Sequence, residues 1–338
     1  MSFRAILIGI YLSLFILVLS GCQSKKKSKR LLVYTSVPSA IMSEIQAAFE
    51  QEYPQIKLSI YRNGTQAIIS KISAEEEEGG VNADVVWLAG LSYLTQLKKE
   101  GMLHPFKSEH SAFLSSYLRD QDNCFYAGRI ITSGIVYNTD IVADEDRPVY
   151  WADLWSDQWR NKVVMANPLY SGMAVLTVGT LADTYSWEYF SFLRTNGATV
   201  VQSNNAVSKK IASGEFPVGI TIDYIITMMR ESGSPVDLIY PEDGVIAIPC
   251  PLGIFNSSNK KVEAESFINY ILSQDGQKLL VQSGAFTPVR SDVKSRPGTL
   301  GLDEIIARAF PTDWSKEHNI VENVKRQFSA IMLYWEEE

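Results

Sequence analysis

Apolar and polar positions along residues 31–87 follow a pattern that predicts alternating strands and helices. Residues 31–35 form a nearly continuous apolar run bounded by small residues, which is typical of a buried parallel strand. Ile41, Ile45 and Phe49 then recur at helical spacing, and the strand pattern returns after them. This order of strand, helix and strand with short connections predicts a parallel sheet with right-handed crossovers.

A second set of strands and helices follows a long apolar segment near residues 130–137. Its strands are predicted at residues 163–165 and 218–222, and residues 245–252 return the chain to the first unit. Two crossings of this kind predict an α/β fold with two lobes, a hinge and a ligand cleft between the lobes. The predicted division gives lobe 1 residues 31–132 and 251–338, and lobe 2 residues 133–250. The helices near the C-terminus are predicted to brace lobe 1.

The N-terminus has the pattern of a signal peptide. The apolar run of residues 5–19 follows Arg4 and is shorter than the roughly 20 residues that span a bilayer. Small residues then precede Cys22, as in a bacterial lipobox. We therefore predict that residues 1–21 are removed, that Cys22 is lipid-modified, and that residues 22–30 are a basic tether. The protein is accordingly expected outside the cytoplasm, anchored to the cell membrane.

Charge and composition exclude several classes of function. The formal charge of the 338 residues is −7, and loss of Arg4 with the signal peptide would leave about −8, which gives little support for nucleic-acid binding. None of the three histidines has a cysteine or histidine neighbour at metal-ligand spacing, so we predict no metal site and no cofactor.

Once Cys22 is lipidated, Cys124 and Cys250 could pair or remain free, and free thiols are the favoured alternative.

Small and polar residues lie where the predicted strands turn into helices. A helix N-terminus presents unpaired N–H groups and partial positive charge, so several such turns at one cleft would bind a phosphate-like anion. The alternative for each residue is a helix cap, or a bulge at the hinge for Ser133. The candidate ligand-binding residues are Ser36, Ser39, Asn63, Gly64, Thr65, Ser133, Ser171, Gly172, Met173, Asn204, Asp223 and Tyr224.

Asp223 bears on which anion would bind, because it directly follows the predicted strand 218–222. A carboxylate at the cleft would repel a phosphate but accept an ammonium group or sugar hydroxyls. This predicts a phosphonate such as 2-aminoethylphosphonate, or a sugar phosphate, with the other end of the ligand on Asp223. Asp223 as a plain helix cap is the alternative. Tyr34, Trp87 and Tyr224 would form walls of the site or belong to the core.

The order of several short segments resembles the extracellular solute-binding proteins of ABC importers, in the branch that binds ferric iron, 2-aminoethylphosphonate or sugar phosphates. The resemblance implies a type II periplasmic-binding-protein fold, a monomer, and delivery of the ligand to a membrane permease with a cytoplasmic ATPase. The segments that carry it are residues 33–36, 47–52, 83–85, 151–159, 171–172, 240–244 and 284–290.

Departures from the ferric-binding members weigh against iron. Those members use two consecutive tyrosines at the start of a helix in the second lobe, where this chain has Tyr224 followed by Ile225. Their acidic ligand would fall near Leu88 and Ala89, which carry no donor atom. A modified iron site that uses Tyr224, Asp223 and an anion bound with the iron is therefore kept as an alternative.

Other classes of function have less support. The chain has no Gly-x-Ser-x-Gly, no His-Glu-x-x-His and no Walker-type phosphate loop, so we predict a binding protein and no enzyme. A sensor subunit that feeds a membrane kinase is the remaining alternative, because related binding proteins can serve signalling.

Overall fold

The computed structural model describes residues 29–284, 286–311 and 318–334. The predicted signal peptide, Cys22 and residues 23–28 of the tether lie outside these residues. Of the helices that the structure does describe, none has both the length and the apolar character to cross a membrane.

The first part of the chain builds the parallel sheet that its apolar pattern predicts. Strand β1 pairs in parallel with β2 on one side and β3 on the other, and Ile41, Ile45 and Phe49 bury the inner face of α1. The elements are β1 (Lys29–Thr35), α1 (Ser39–Glu52), β2 (Ile56–Arg62), α2 (Thr65–Glu77), β3 (Val85–Trp87), α3 (Ser92–Lys99) and β4 (Leu103–His104).

The rest of the chain repeats this alternation and ends in helices. Within the described residues, 3-10 helices lie in the connections at Ser111–Phe113, Ser116–Leu118, Trp151–Trp155 and Asp157–Trp159. The longer elements are β5 (Phe125–Asn138), β6 (Val163–Ala166), α4 (Gly172–Tyr185), α5 (Glu188–Thr195), β7 (Thr199–Val201), α6 (Asn204–Ala212), β8 (Val218–Ile222), α7 (Asp223–Glu231), β9 (Val236–Ile239), β10 (Ile246–Phe255), α8 (Lys261–Leu272), α9 (Gln274–Gly284), α10 (Leu302–Arg308) and α11 (His318–Met332).

Two long antiparallel strands, β5 and β10, join the lobes. The strand order is β2-β1-β3-β10-β5-β8-β6-β7, so β10 pairs with β3 of lobe 1 while β5 pairs with β8 of lobe 2. Ser133 pairs with both Ile246 of β10 and Ile222 of β8, which places the crossing between the lobes at this residue. A cleft between the lobes therefore lies across the middle of β5.

The segment around α10 does not stay with lobe 1, as the sequence had led us to expect. Ala309 forms a bridge with Val245, and the guanidinium of Arg308 donates to the carbonyl oxygen of Tyr240 at 3.0 Å. Thr287, by contrast, pairs with Ile130 in the lobe 1 half of β5. The chain thus crosses between the lobes a third time, between residues 287 and 309.

The sequence analysis also assigned helix α11 to lobe 1, and the structure differs on this point. Its Phe328 is fully buried and makes an edge-to-face contact with Phe190 of α5, with ring centroids 5.6 Å apart. Lys325 Nζ also donates to Gln66 Oε1 of α2 at 3.2 Å. The helical spacing of apolar residues identified the buried face of α11, but it carries no information about which lobe covers that face. Helix α11 therefore packs mainly on lobe 2 and also touches lobe 1.

Several side chains whose roles the sequence analysis left undecided belong to the core. Cys124 and Cys250 are both buried free thiols, which confirms the favoured alternative. Trp87 is fully buried, and its indole N–H donates to the carbonyl oxygen of Cys250 at 3.0 Å. The Tyr34 hydroxyl donates to Glu75 Oε1 at 2.7 Å. Trp87 and Tyr34 are therefore core residues, and neither forms a wall of the cleft.

Candidate functional site

A cavity of about 180 Å³ lies between the lobes at the middle of β5. Four helices, α2 from lobe 1 and α4, α6 and α7 from lobe 2, begin at its wall. A helix start presents N–H groups without intrahelical partners and about half a positive charge, so their convergence favours an anion. The predicted residues that line this cavity are Ser36, Gly64, Thr65, Ser171, Gly172, Met173, Asn204 and Tyr224.

Serine caps hold the starts of α4 and α6 side by side. Ser171 Oγ accepts a hydrogen bond from the N–H of Ala174 at 3.2 Å, and Asn204 Nδ2 donates to the same oxygen at 3.1 Å. Ser203 caps α6 in the same way, accepting from the N–H of Ala206 at 3.2 Å. Each cap satisfies one donor of the first turn, and the other donors remain available to a ligand.

The start of α2 has no such cap. Gly64 precedes the helix and can make no side-chain hydrogen bond to its first turn. Asn63 is exposed and does not line the cavity, because its Oδ1 accepts from the neighbouring N–H of Gly64 at 2.8 Å. At the start of α2 the wall is thus made by backbone and by Thr65.

Arg129 is the residue of the site that the sequence analysis missed. It lies on β5 at the cavity with 2% of its surface exposed, and its Nε and Nη1 have no hydrogen-bond partner among the described residues. Its guanidinium stacks over the ring of Phe286 at 4.1 Å and lies 5.8 Å from the ring of Trp87. A buried cation without a carboxylate partner is costly, and an anion in the cavity would offset this cost.

Arg62 supplies a second guanidinium to the same cavity. It ends β2 and is exposed, and its Nε makes one long hydrogen bond, 3.4 Å, to the carbonyl oxygen of Val37. No aspartate or glutamate is among the described residues that line the cavity. Burial raises the pKa of the Tyr224 phenol, while the nearby Arg129 and Arg62 act in the opposite direction. Tyr224 therefore presents a neutral hydroxyl to a cavity that both cations also line.

Asp223 does not face the cavity, so the expected carboxylate contact with the ligand is wrong. Only 1% of its surface is exposed, and its Oδ2 accepts from Thr132 Oγ1 at 2.5 Å. Its Oδ1 accepts from the N–H groups of Thr132 and Tyr224 at 3.2 and 2.7 Å. Burial raises the pKa of this carboxyl to about 6. Its position after β8 was predicted correctly, but the side chain turns back to tie α7 to β5.

Two further candidates lie away from the cavity. Ser39 is exposed in the first turn of α1, where Pro38 occupies the cap position that Ser39 was expected to take. Ser133 Oγ lies 2.6 Å from Thr177 Oγ1, beside a separate space of about 10 Å³ that Asn204 also lines. Both residues act within the fold and neither reaches the main cavity.

The arrangement gives little support to a metal centre. Among residues 29–284, 286–311 and 318–334, no group of three or more histidine, cysteine or acidic side chains could hold a metal ion. Tyr224 reaches the cavity, but Asp223 does not, and Ile225 is the next residue on the wall. The iron alternative thus retains one of its two proposed protein ligands.

Comparison with known proteins gives the fold and the family. The α/β type II periplasmic-binding-protein fold is shared with iron-bound HitA from Pseudomonas aeruginosa, at a TM-score of 0.80 and 20% identity, over 90% of this chain and 100% of HitA. It is also shared with AfuA from Actinobacillus pleuropneumoniae with exogenous fructose-6-phosphate bound, at a TM-score of 0.77 and 22% identity, over 90% of this chain and 98% of AfuA.

Sequence comparison agrees with this fold. A probable ABC transporter periplasmic-binding protein, y4fP of Sinorhizobium fredii, is 23% identical over 248 residues, which are 70% of this chain and 69% of the relative. The model of the bacterial extracellular solute-binding protein family matches residues 82–299, well over half of the chain. These are binding proteins and not enzymes. The protein therefore belongs to the bacterial extracellular solute-binding protein family.

Proposed function

We propose that this protein is the solute-binding component of an ABC importer and that it captures a small anion bearing a phosphate or phosphonate group. The observation that carries the proposal is Arg129, a buried guanidinium with unpaired nitrogens at a cavity where four helices begin. Guanidinium and helix starts are the two groups that proteins use most often to hold phosphate oxygens. The relationship to y4fP supports the importer.

The composition of the wall favours some phosphorylated ligands over others. An ammonium group, as in 2-aminoethylphosphonate, would need a carboxylate or several carbonyl oxygens, and the described wall offers no carboxylate. Hydroxyl or acid groups on the ligand would find Asn204, Asn205 and the Tyr224 hydroxyl. Among the ligands considered from sequence, a phosphate ester with polar substituents is therefore better supported than an aminophosphonate.

We further propose that the protein is held at the outer face of the membrane by lipid on Cys22. The support is the order of charged, apolar and small residues before this cysteine. Metabolic labelling with a tagged fatty acid, in cells that express the full chain, tests the anchor. Replacement of Cys22 by serine should remove the label from the protein, and a label that persists would contradict lipidation of this cysteine.

A thermal-shift screen tests the ligand class. The Cys22→Ser chain without its signal peptide would be heated with inorganic phosphate, sulfate, phosphonates, sugar phosphates and ferric citrate. A ligand at about 100 times its Kd stabilises the folded state by about 2.7 kcal/mol. This corresponds to a rise in Tm of about 4 °C for a protein of this size. A shift with ferric citrate alone would overturn the proposal.

The Arg129→Gln variant shows whether the shift comes from this cavity. Loss of the guanidinium should remove the shift, while the Tm without ligand should stay the same or rise because a buried unpaired charge is gone. Arg160→Gln is the matched control, because Arg160 is exposed and its partner is Asp157. It should retain the full shift. A ligand-induced shift that survives in Arg129→Gln would exclude Arg129 as the anion site.

A further inference from the structure

Arg62 and Arg129 are two cationic side chains that open on one cavity without an acidic partner in its described wall. We infer that the ligand carries two separate anionic groups, a phosphate or phosphonate on Arg129 at the floor and a carboxylate on Arg62 at the rim. This inference rests on the proposed function and narrows it to compact phosphocarboxylates. It is carried by the position of Arg62, which the proposed function does not use.

The two guanidiniums enter the cavity from distant strands. Arg62 ends β2 and Arg129 lies on β5, and the sheet order β2-β1-β3-β10-β5 puts four strand spacings between them. Arg129 is buried against Phe286, whereas Arg62 is exposed. Cations placed this way hold the two ends of a ligand better than two edges of one phosphate.

The charge around the cavity also exceeds what one phosphate neutralises. The starts of α2, α4 and α6 contribute roughly half a positive charge each and the two guanidiniums add one each, for a sum of about +3.5, while the start of α7 faces the Asp223 carboxyl. A phosphate monoester carries about −1.5 to −2 at neutral pH. Arg62 has no ion pair among the described residues, so its charge is free to attract a second acid group. A carboxylate on the ligand would bring the negative charge of the ligand closer to the positive charge around the cavity.

The size of the cavity limits the distance between the two acid groups. A volume of about 180 Å³ is small for a ligand pocket, since such pockets typically have about 300–1,000 Å³. A small pocket favours a compact ligand, in which a short carbon link joins the phosphate to the carboxylate. The ligand class that matches charge, position and size is a compact phosphocarboxylate.

Two probes that differ in one group separate these possibilities. 3-Phosphoglycerate and glycerol 3-phosphate share their carbon skeleton and phosphate, and only the first has a carboxylate. Isothermal titration calorimetry with the lipid-free chain should give a Kd about tenfold or more lower for 3-phosphoglycerate. Arg62→Gln should weaken 3-phosphoglycerate about tenfold more than it weakens glycerol 3-phosphate. Arg129→Gln should weaken both probes alike, because it removes the contact with the phosphate they share.

The outcomes distinguish this inference from the proposed function. Equal affinity for the two probes, or an Arg62→Gln variant that weakens both equally, would overturn the two-anion ligand and leave the phosphate site standing. No binding of either probe, of inorganic phosphate or of sugar phosphates would overturn the proposed function as well. Arg62 is exposed, so an unchanged Tm of the Arg62→Gln variant without ligand will show that the fold is intact.

Discussion

Gly172 and Thr65 face each other across the cleft so closely that a Cβ atom on Gly172 would lie 3.1 Å from the Cβ of Thr65. The two residues begin α4 and α2, which belong to different lobes. Gly90 of lobe 1 approaches Leu176 of α4 in the same manner. The lobes therefore touch beside the cavity, and a side chain at Gly172 would crowd this contact.

Replacement of Gly172 by alanine should weaken ligand binding while leaving the lobes folded. The added methyl group would push α4 away from Thr65, and overpacking of this kind typically costs 1–3 kcal/mol. We expect about a fivefold increase in Kd, equal to about 1 kcal/mol, for the phosphorylated ligand that the thermal-shift screen identifies. Calorimetric titration measures it.

Gly179→Ala is the control on the same helix. A Cβ there would meet only Val324 Cγ2, at an ordinary 3.4 Å. This variant should keep the affinity of the original protein. If Gly172→Ala also kept that affinity, contact between Thr65 and Gly172 would not contribute to the ligand-bound state.

Asp223 should make stability depend on pH between about 4 and 6. Its pKa is raised to about 6 from an ordinary 3.8, so the folded state holds a proton that the unfolded state has released. Stability is therefore greater at low pH and is lost as pH rises through this range. From pH 4.5 to pH 7.5 the loss from this group amounts to about 2 kcal/mol.

The Asp223→Asn variant tests this dependence because its amide does not titrate. Urea unfolding of both proteins at the two pH values gives the difference in their free energies of unfolding. That difference should shift by about 2 kcal/mol in favour of the variant as pH rises. A constant difference would mean that Asp223 titrates normally and that its hydrogen bonds to Thr132 offset its burial.

Loss of the Phe328 ring should destabilise the protein severely. The ring is fully buried against Phe190, and replacement of a buried phenylalanine by alanine typically costs 3–5 kcal/mol. Arg326→Ala, on the exposed side of the same helix, should change the free energy of unfolding by less than about 0.5 kcal/mol. Denaturant unfolding compares the two. Similar small effects would show that α11 does not pack on α5.

Cys124 and Cys250 should react with a thiol reagent only after unfolding. Both thiols are buried and free, and burial raises the pKa of each, which lowers the reactive thiolate fraction. In the Cys22→Ser chain, an absorbance assay should detect both thiols in denaturant and few in the native state. Reducing agent should leave the Tm unchanged. A large drop in Tm on reduction would instead reveal a disulfide.

The sequence analysis predicted the helix starts at the site, but it missed the buried arginine that lines the cavity. Ser171, Gly172 and Asn204 stand where apolar strand runs change to helical spacing, and such turns converge at one edge of a sheet whatever the side chains are. Arg129 was missed although a signal existed. It is the only charged residue within the apolar run of residues 125–137, and a lone cation in a buried strand needs an explanation.

Side-chain direction and long-range packing were beyond the sequence. The end of β8 was placed correctly, yet whether Asp223 points to the cleft or to Thr132 depends on a rotamer that neighbours on β5 select. The same holds for α11, since an amphipathic helix packs on any apolar surface of suitable shape. The chain reaches the surface of lobe 2 through its third crossing, between residues 287 and 309. The local pattern of apolar residues does not predict such a crossing.

Strands β5 and β10 also have a consequence for how the protein melts. Both strands run from one lobe into the other, and α11 contacts both lobes. One lobe therefore cannot unfold without disrupting elements of the other. The molecule should behave as a single cooperative unit in calorimetry, with equal calorimetric and van't Hoff enthalpies. Neither half is expected to fold when expressed by itself.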